Sequence, residues 1–202
     1  MAMSEAKKKE LKGRRQAPLV TPSDLGPKAS ANIAGGMNAI LADVWALYFK
    51  TKNYHWHVSG SHFRGNCAQG RNLSAEYHML FDDLATSVFN SIDTLAERVR
   101  RIGGTTIRSV SQISTLQNIS DDNRDTFITP SDMIKSLVED NYAVLQNQRA
   151  AHEICLANKD FPTASILEEL MDETEKRYPQ SVQVNPRIWF LKMTSEGGSH
   201  QN

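Results

Sequence analysis

Residues 75–104 read AEYHMLFDDLATSVFNSIDTLAERVRRIGG, and this stretch decides the fold. Its apolar side chains return every three or four residues, which predicts a long helix with one face in a core. Gly103 and Gly104 follow and predict its end, because glycine commonly terminates helices in the left-handed conformation. The apolar stripe consists of Phe81, Leu84, Val88, Ile92, Leu95, Val99 and Ile102.

The same helix carries two pairs of metal-ligand side chains beside this stripe. His78 and Asp82 form one pair, and Asp93 and Glu97 form the other. The members of each pair are four residues apart and therefore share a helix face. Asp82 and Asp93 also face nearly the same way, because eleven residues make about three turns. His78 and Asp93 are nevertheless about 22 Å apart along the helix, which is too far for one ion.

Two incomplete sites on one helix face predict a symmetric interface between subunits. If a second copy lies antiparallel across a two-fold axis, the first pair of one subunit meets the second pair of the other. Two identical His/carboxylate sites then form at once. The string His55-Trp56-His57, upstream, adds further imidazoles.

The rest of the folded part also reads as helices. Thr129 and Pro130 give the clearest start signal, since threonine caps a helix and proline fits its first turn. Four long helices, one long crossover with a short helix and no strand pattern favour an all-α four-helix bundle. The predicted helices span about 30–53, 75–102, 110–116, 130–157 and 161–177.

Length, charge and cysteine content bound the class of protein. The chain has 202 residues, enough for one domain with a substantial core, and its formal net charge is zero. Cys67 and Cys155 are the two cysteines, and their wide separation indicates free thiols in a reducing compartment. No apolar run suits a membrane span and no secretory signal is visible, so we expect a cytoplasmic protein without membrane contact.

Positive charge is concentrated at the N-terminus. Residues 1–20 hold six basic and two acidic side chains, a net charge of +4. This composition predicts a flexible, anion-seeking tail, and a solvated tail without a partner is the alternative. We expect a tail over 1–28, one bundle over 29–192 and a flexible end over 193–202.

The chain carries six further motifs: Lys52-Asn53-Tyr54-His55-Trp56-His57-Val58-Ser59-Gly60, His62-Phe63-Arg64, Tyr77-His78-Met79-Leu80, the run from Ile92 to Gly104, Asp172-Glu173-Thr174-Glu175-Lys176-Arg177 and Trp189-Phe190-Leu191. Together these motifs resemble the Dps proteins, the DNA-protecting mini-ferritins of starved bacteria. The resemblance covers about residues 30–192 and implies a ferritin-like bundle assembled as a hollow homododecamer with ferroxidase sites at two-fold interfaces.

The resemblance names the metal as iron and gives each ligand a position. It implies iron ligands at His55, His78, Asp82, Asp93 and Glu97, with the last two from the partner subunit. Imidazole and carboxylate groups suit Fe(II) and leave coordination positions for peroxide or dioxygen. The family further implies storage of ferric mineral and protection of DNA in a nucleoid-associated, stress-responsive protein. Non-specific DNA contacts are expected from the basic tail residues Lys7, Lys8, Lys9, Lys12, Arg14 and Arg15.

Two other functions stay open. One is a nucleoid-compacting DNA-binding protein whose metal sites mainly support assembly. The other is an ordinary ferritin subunit, which the sequence disfavours because no glutamate is followed three residues later by histidine.

Several further polar and aromatic residues each have two interpretations. Trp56 either intercepts oxidising radicals or packs at the helix end. His57 and His62 are accessory ligands or surface residues. An acidic iron-entry pore or a solvated helix face accounts for Asp160, Glu168, Glu169 and Asp172.

Two segments depart from the family pattern. Residues 65–75 are inserted before the second helix, and residues 178–187 interrupt the last one. We expect the first to be a flexible loop after which Ser74 caps the second helix. Pro179 and Pro186 are expected to break the last helix, because proline removes a backbone donor and clashes with the preceding turn.

Overall fold

The described part of the chain is built from five helices. The computed structural model describes residues 21, 23–58 and 73–184, and this part contains no strand. The four long helices, with the short α3 in the crossover between α2 and α4, confirm the predicted all-α bundle. In chain order the helices are α1 Pro27–His57, α2 Leu73–Arg101, α3 Val110–Leu116, α4 Pro130–Ala157 and α5 Phe161–Val184.

The first helix is longer at both ends than the apolar spacing predicts. It begins at Pro27, where proline suits the first helical position, and it ends at His57. His55 therefore lies in the last turn of a helix, and its direction is fixed by regular backbone.

The predicted start of α4 and end of α2 are confirmed. Thr129 accepts a hydrogen bond from the backbone N–H of Asp132 at 3.2 Å. Gly103 has a φ of +84°, in the left-handed region that favours glycine. Gly104 approaches α1 so closely that an added Cβ would lie 2.7 Å from the Cβ of Ala34. The two glycines let α2 end against the beginning of α1.

A single apolar core runs between the long helices. α1 packs along α2, α4 packs along α5, and α1 also packs on α4. Each large apolar side chain removed from water contributes about 1.5–3 kcal/mol to folding. The largest fully buried side chains are Tyr54, Phe81, Ile33, Met37, Ile40, Leu41, Leu47, Leu95, Ile102, Met133, Ile134 and Leu137.

A buried carboxylate fastens the crossover to the bundle. Asp43 on α1 is fully buried and accepts hydrogen bonds from the backbone N–H groups of Asn118 and Ile119. The side-chain amides of Asn118 and Asn147 donate to it as well, at 3.1 and 2.9 Å. Asp43 thus joins α1, the crossover and α4, which holds the crossover in place although α3 buries none of its own residues.

Two predictions about the departing segments are wrong. Ser74 is the second residue of α2 and not its cap, because the helix already begins at Leu73. α5 continues through Pro179 to Val184. Proline inside a helix costs about 3 kcal/mol. The turns of α5 before Pro179 are already formed, so the loss of one hydrogen bond there does not end the helix.

Several predicted features lie outside the described residues. These are residues 1–20, most of the 65–75 insertion, Pro186 and residues 193–202. Among the described helices, none combines the length and apolar character that crossing a membrane requires.

Candidate metal centre

Three of the five predicted ligands meet where α1 ends beside α2. The imidazole rings of His55 and His78 lie edge to face with centroids 5.1 Å apart. Nδ1 of His55 lies 4.0 Å from Oδ1 of Asp82. We call His55, His78 and Asp82 the histidine half-site.

A hydrogen bond orients His55 for metal binding. Its Nδ1 donates to the backbone carbonyl oxygen of His78 at 3.0 Å, because a carbonyl oxygen can only accept. In the neutral imidazole, the other nitrogen, Nε2, carries the lone pair. Histidine ligands of metals characteristically donate their second ring N–H to a carbonyl or carboxylate, and His55 has this arrangement.

A lysine forms an ion pair with the carboxylate of the histidine half-site. Nζ of Lys52 lies 2.6 Å from Oδ1 of Asp82, whose side chain is 56% exposed. This hydrogen bond is the main reason why the pKa of Asp82 is lowered, and the charge of Lys52 adds to it. Asp82 is therefore ionised and ready to bind a cation at neutral pH. The pairing of Lys52 with Asp82 was not predicted, since a lone lysine three residues before a histidine matches no ligand pattern.

Asp93 and Glu97 lie apart from these three residues on the same helix. Both side chains are exposed, and Oε2 of Glu97 accepts a hydrogen bond from Arg101 at 2.6 Å. We call Asp93 and Glu97 the carboxylate half-site. Within residues 23–58 and 73–184, no three His, Cys, Asp or Glu side chains are grouped closely enough to hold an ion. Each half-site is thus incomplete within one chain.

Among the described residues, the bundle interior holds no metal site of the ordinary ferritin kind. Such sites use inward-facing glutamates and Glu-x-x-His motifs. Here Nε of Arg177 donates to Asn141 at 2.9 Å, and the amide of Gln148 donates to Thr174 at 3.1 Å. We call Asp43, Asn141, Gln148, Thr174 and Arg177 the polar interior. This set contains amides, a hydroxyl and a guanidinium. Its one carboxylate, that of Asp43, already accepts four hydrogen bonds.

A half-buried carboxylate outside this set is also paired. Asp140 on α4 pairs with Nζ of Lys50 at 2.6 Å. Burial raises the pKa of Asp140, and the contact with Lys50 opposes that rise. Neither Asp43 nor Asp140 is therefore free for iron.

The secondary predictions meet different surroundings. Trp56 is 58% exposed and contacts Phe49 edge to face, while Nδ1 of His57 donates to the carbonyl of Asn53. Asp160 is buried and accepts from Arg98 at 2.6 Å, which makes it unsuitable for lining a pore. The pore prediction now depends on the exposed residues Glu168, Glu169 and Asp172. His62 lies outside the described residues.

A buried tyrosine beside the histidine half-site was not predicted. The hydroxyl of Tyr54 donates to Oδ2 of Asp122 in the crossover at 2.7 Å. Burial is the main reason why the pKa of Tyr54 rises to about 12. Arg124 donates to Asp122 and, as the largest cause, holds the pKa of that carboxyl far below its usual range. These partners are 68 residues apart along the chain, so no local pattern could have indicated their contact.

The sequence and the fold were compared with known proteins. Residues 35–178 match the ferritin-like domain family. An uncharacterized low temperature-induced protein of Nostoc sp. is 31% identical over 169 residues, covering 80% of this chain and 78% of that protein. The DNA protection during starvation protein of Brevibacillus brevis is 29% identical over 156 residues, covering 77% and 89%. DpsC from Streptomyces coelicolor has the same fold, with a TM-score of 0.71 at 22% identity over 81% of this chain and 88% of that one.

These likenesses agree with the architecture. The family match includes both half-sites and all five helices in part or whole. The bundle with a short helix in its long crossover is therefore the ferritin-like one. The chain belongs to the ferritin-like family and, within it, to the Dps proteins.

Proposed function

We propose that this Dps protein oxidises Fe(II) at sites shared between two subunits and stores the ferric product inside a homododecameric shell. The observation that carries the proposal is the histidine half-site, in which His55 is oriented by the carbonyl of His78 and lies beside Asp82. The carboxylate half-site on the same helix face supplies what the first one lacks. A two-fold axis that brings them together completes two sites.

The donor groups suit the redox change of iron. The imidazoles of His55 and His78 are neutral ligands that fit Fe(II), and Asp82 adds one negative charge. Asp93 and Glu97 of the facing subunit bring two further carboxylates, which favour the harder Fe(III) product. Two Fe(II) ions each give one electron to a peroxide, which takes up two protons and leaves as two water molecules.

Binding of Fe(II) begins with displacement of Lys52 from Asp82. An incoming Fe(II) exchanges with the ammonium group at Oδ1 of Asp82, which is already ionised. Because this pair is at the surface, the exchange costs only about 0–1 kcal/mol. Lys52 thus occupies the carboxylate without barring iron from it.

Mixing two inactive variants tests the shared site. Subunits with His55→Ala and His78→Ala lack one half-site, and subunits with Asp93→Ala and Glu97→Ala lack the other. Each variant alone should form shells that do not oxidise Fe(II) rapidly. Random co-assembly should restore about a quarter of the parent activity, because half of the dimers are mixed and each mixed dimer has one intact site of two.

Shell mass and a neutral control complete this experiment. Asp83→Ala, an exposed neighbour of Asp82, should oxidise iron at the parent rate. If the mixed shells assemble fully but remain inactive, the ligands do not come from two subunits and the proposal is wrong.

DNA protection is the second part of the proposed function and rests on the basic N-terminal segment. Residues 1–20 carry a net charge of +4, and the remaining residues sum to −4. Twelve such segments on one shell would bind DNA together and raise its avidity by about two to four orders of magnitude. A cytoplasmic, nucleoid-associated protein follows from this part of the proposal.

Truncation separates DNA binding from iron oxidation. Deleting residues 1–20 should abolish DNA retardation in gels at low salt and leave Fe(II) oxidation intact. Binding should also weaken steeply with salt, by a slope of about 0.9 for each phosphate neutralised. A truncated shell that still retards DNA would assign the contact to the body, and a full-length shell that retards DNA but does not oxidise Fe(II) rapidly would favour a protein whose metal sites mainly support assembly.

A further inference from the structure

Behind the histidine half-site lies a cluster of three aromatic rings. Tyr54 directly precedes His55, and Tyr77 directly precedes His78. Both tyrosines contact the fully buried Phe81, with ring centroids 6.2 Å from Tyr54 and 6.5 Å from Tyr77. Successive side chains of a helix point about 100° apart. His55 and His78 therefore face each other, while the tyrosine that precedes each histidine faces the core. The rings therefore connect the half-site with the core.

The far end of this cluster has a proton acceptor. Tyr54 is 1% exposed, and its hydroxyl lies 2.7 Å from Oδ2 of Asp122, whose side chain is 5% exposed. Arg124 donates to both carboxylate oxygens of Asp122, which keeps that group ionised. A phenol bonded to an ionised carboxylate and shielded from water has no part in binding iron.

From this arrangement we infer that Tyr54 supplies one electron to hydroxyl radicals formed at the half-site and transfers its proton to Asp122. The inference rests on the proposed iron oxidation. A single Fe(II) that meets peroxide becomes Fe(III) and releases hydroxide and a hydroxyl radical. That radical takes one electron from Tyr54 through the aromatic cluster and one proton from solvent, and becomes water.

The proton released by Tyr54 has a defined destination. Loss of an electron makes the phenol a far stronger acid than any carboxylic acid. Its proton therefore moves along the existing hydrogen bond to Oδ2 of Asp122, even though Arg124 reduces the basicity of that carboxylate. Tyr54 becomes a neutral tyrosyl radical, and the positive charge that the departed electron leaves behind resides on Arg124, whose side chain is 54% exposed to solvent.

Burial distinguishes Tyr54 from Trp56, which follows His55 directly in the sequence. Trp56 is 58% exposed, so a radical there meets solvent and other molecules directly. Tyr54 is enclosed, and its radical can persist until an external reductant returns the electron. The arrangement places the oxidising equivalent on a protected side chain and keeps it from damaging the shell.

Freeze-quenched electron paramagnetic resonance tests the inference. The parent shell receives one Fe(II) per site and then peroxide, and protein containing ring-deuterated tyrosine identifies a tyrosyl signal by its narrowed line. We expect Tyr54→Phe to lose this signal. Asp122→Asn should reduce it strongly, because an amide oxygen is a much weaker base. Tyr48→Phe is the matched control, since Tyr48 belongs to a separate cluster with Trp45 and Phe89, and it should keep the signal.

The outcomes separate this inference from the proposed function. Fe(II) consumption is recorded in the parent sample, and native mass confirms that each variant is assembled. A parent shell that oxidises no iron overturns both proposals. Rapid iron oxidation with an undiminished signal in Tyr54→Phe or Asp122→Asn overturns only the role of Tyr54 and moves the radical elsewhere. Two variants are used so that poor folding of one does not decide the result.

Discussion

The histidine half-site and the polar interior use similar residue types in opposite ways. In the polar interior, Arg177 and Asn141 are paired inside one chain, and of the set only the carbonyl oxygen of Gln148 is buried without a hydrogen-bond partner. At the half-site, Nε2 of His55 and the exposed carboxylate of Asp82 are left with capacity for an outside ligand. The first arrangement stabilises a fold, and the second depends on something that one chain does not contain. The two regions thus differ in where their polar groups find partners more than in residue type.

The largest effect should follow from removing the imidazoles. His55→Ala with His78→Ala deletes both neutral ligands, and rapid peroxide-dependent Fe(II) oxidation should fall by at least about 100-fold, since loss of a mere supporting contact already costs 10–100-fold. Stopped-flow absorbance of the ferric product measures this. Native mass should be unchanged, because neither side chain belongs to the fully buried core. A double variant with parent kinetics would remove the half-site from the mechanism.

The reverse result is expected in the polar interior. Asp43→Ala leaves the backbone N–H groups of Asn118 and Ile119 without their acceptor. It should lower the free energy of unfolding by about 3–5 kcal/mol, the range found when one partner of a buried charged network is removed. Urea denaturation followed by circular dichroism measures the loss. Glu139→Ala, an exposed change on α4, should stay within about 0.5 kcal/mol. Equal stability of the two variants would show that Asp43 does not anchor the crossover.

Local sequence signals predicted much of the fold. The stripe of α2, the cap at Thr129 and the left-handed Gly103 depend on neighbours within a few residues, and all three are confirmed. Contacts between distant segments could not be read in this way. The pairing of Lys52 with Asp82 depends on how α1 and α2 align across an insertion.

Proline at position 179 shows a different limit of sequence reasoning. A propensity rule predicts a break there, but the helix continues to Val184 because one lost hydrogen bond is small beside the rest of α5. Pairing between subunits, which the two half-sites require, stays a prediction.

Cysteine reactivity provides a probe of the closed interior. Cys155 on α4 is fully buried, and burial raises the pKa of its thiol to about 11. At pH 8 its thiolate fraction should be at least about 100-fold below that of an ordinary cysteine, whose pKa is about 8.5. Reaction with a disulfide reagent should be slower by at least that factor and should accelerate up to about pH 11.

Cys67 is the internal comparison for this measurement. It lies in the 65–75 insertion, outside the described residues, and its glycine-rich surroundings predict an accessible thiol. Cys67→Ser and Cys155→Ser variants assign the two phases. Fast reaction of Cys155 in the intact shell would mean that α4 opens locally and that the interior is not closed.

The smallest effect is expected from removing the ammonium group of Lys52 at the histidine half-site. Lys52→Gln removes the ammonium group from Asp82 and lets a divalent ion bind without exchange. Because the pair is exposed, it contributes about 0.2–1 kcal/mol, and removing it should tighten Co(II) binding by only about 1.4- to 5-fold. Losing Lys52 also raises the pKa of Asp82 toward its ordinary value, which favours the protonated carboxyl over the metal-binding form. The gain in Co(II) affinity should therefore appear above about pH 5 and vanish in more acidic solution, where the carboxyl is protonated. Isothermal titration of the metal-free shell measures the affinity, and Lys176→Gln, which breaks a comparable exposed pair with Asp172 on α5, should leave it unchanged. Weaker Co(II) binding in Lys52→Gln would instead show that the lysine organises Asp82 for the metal rather than competing with it.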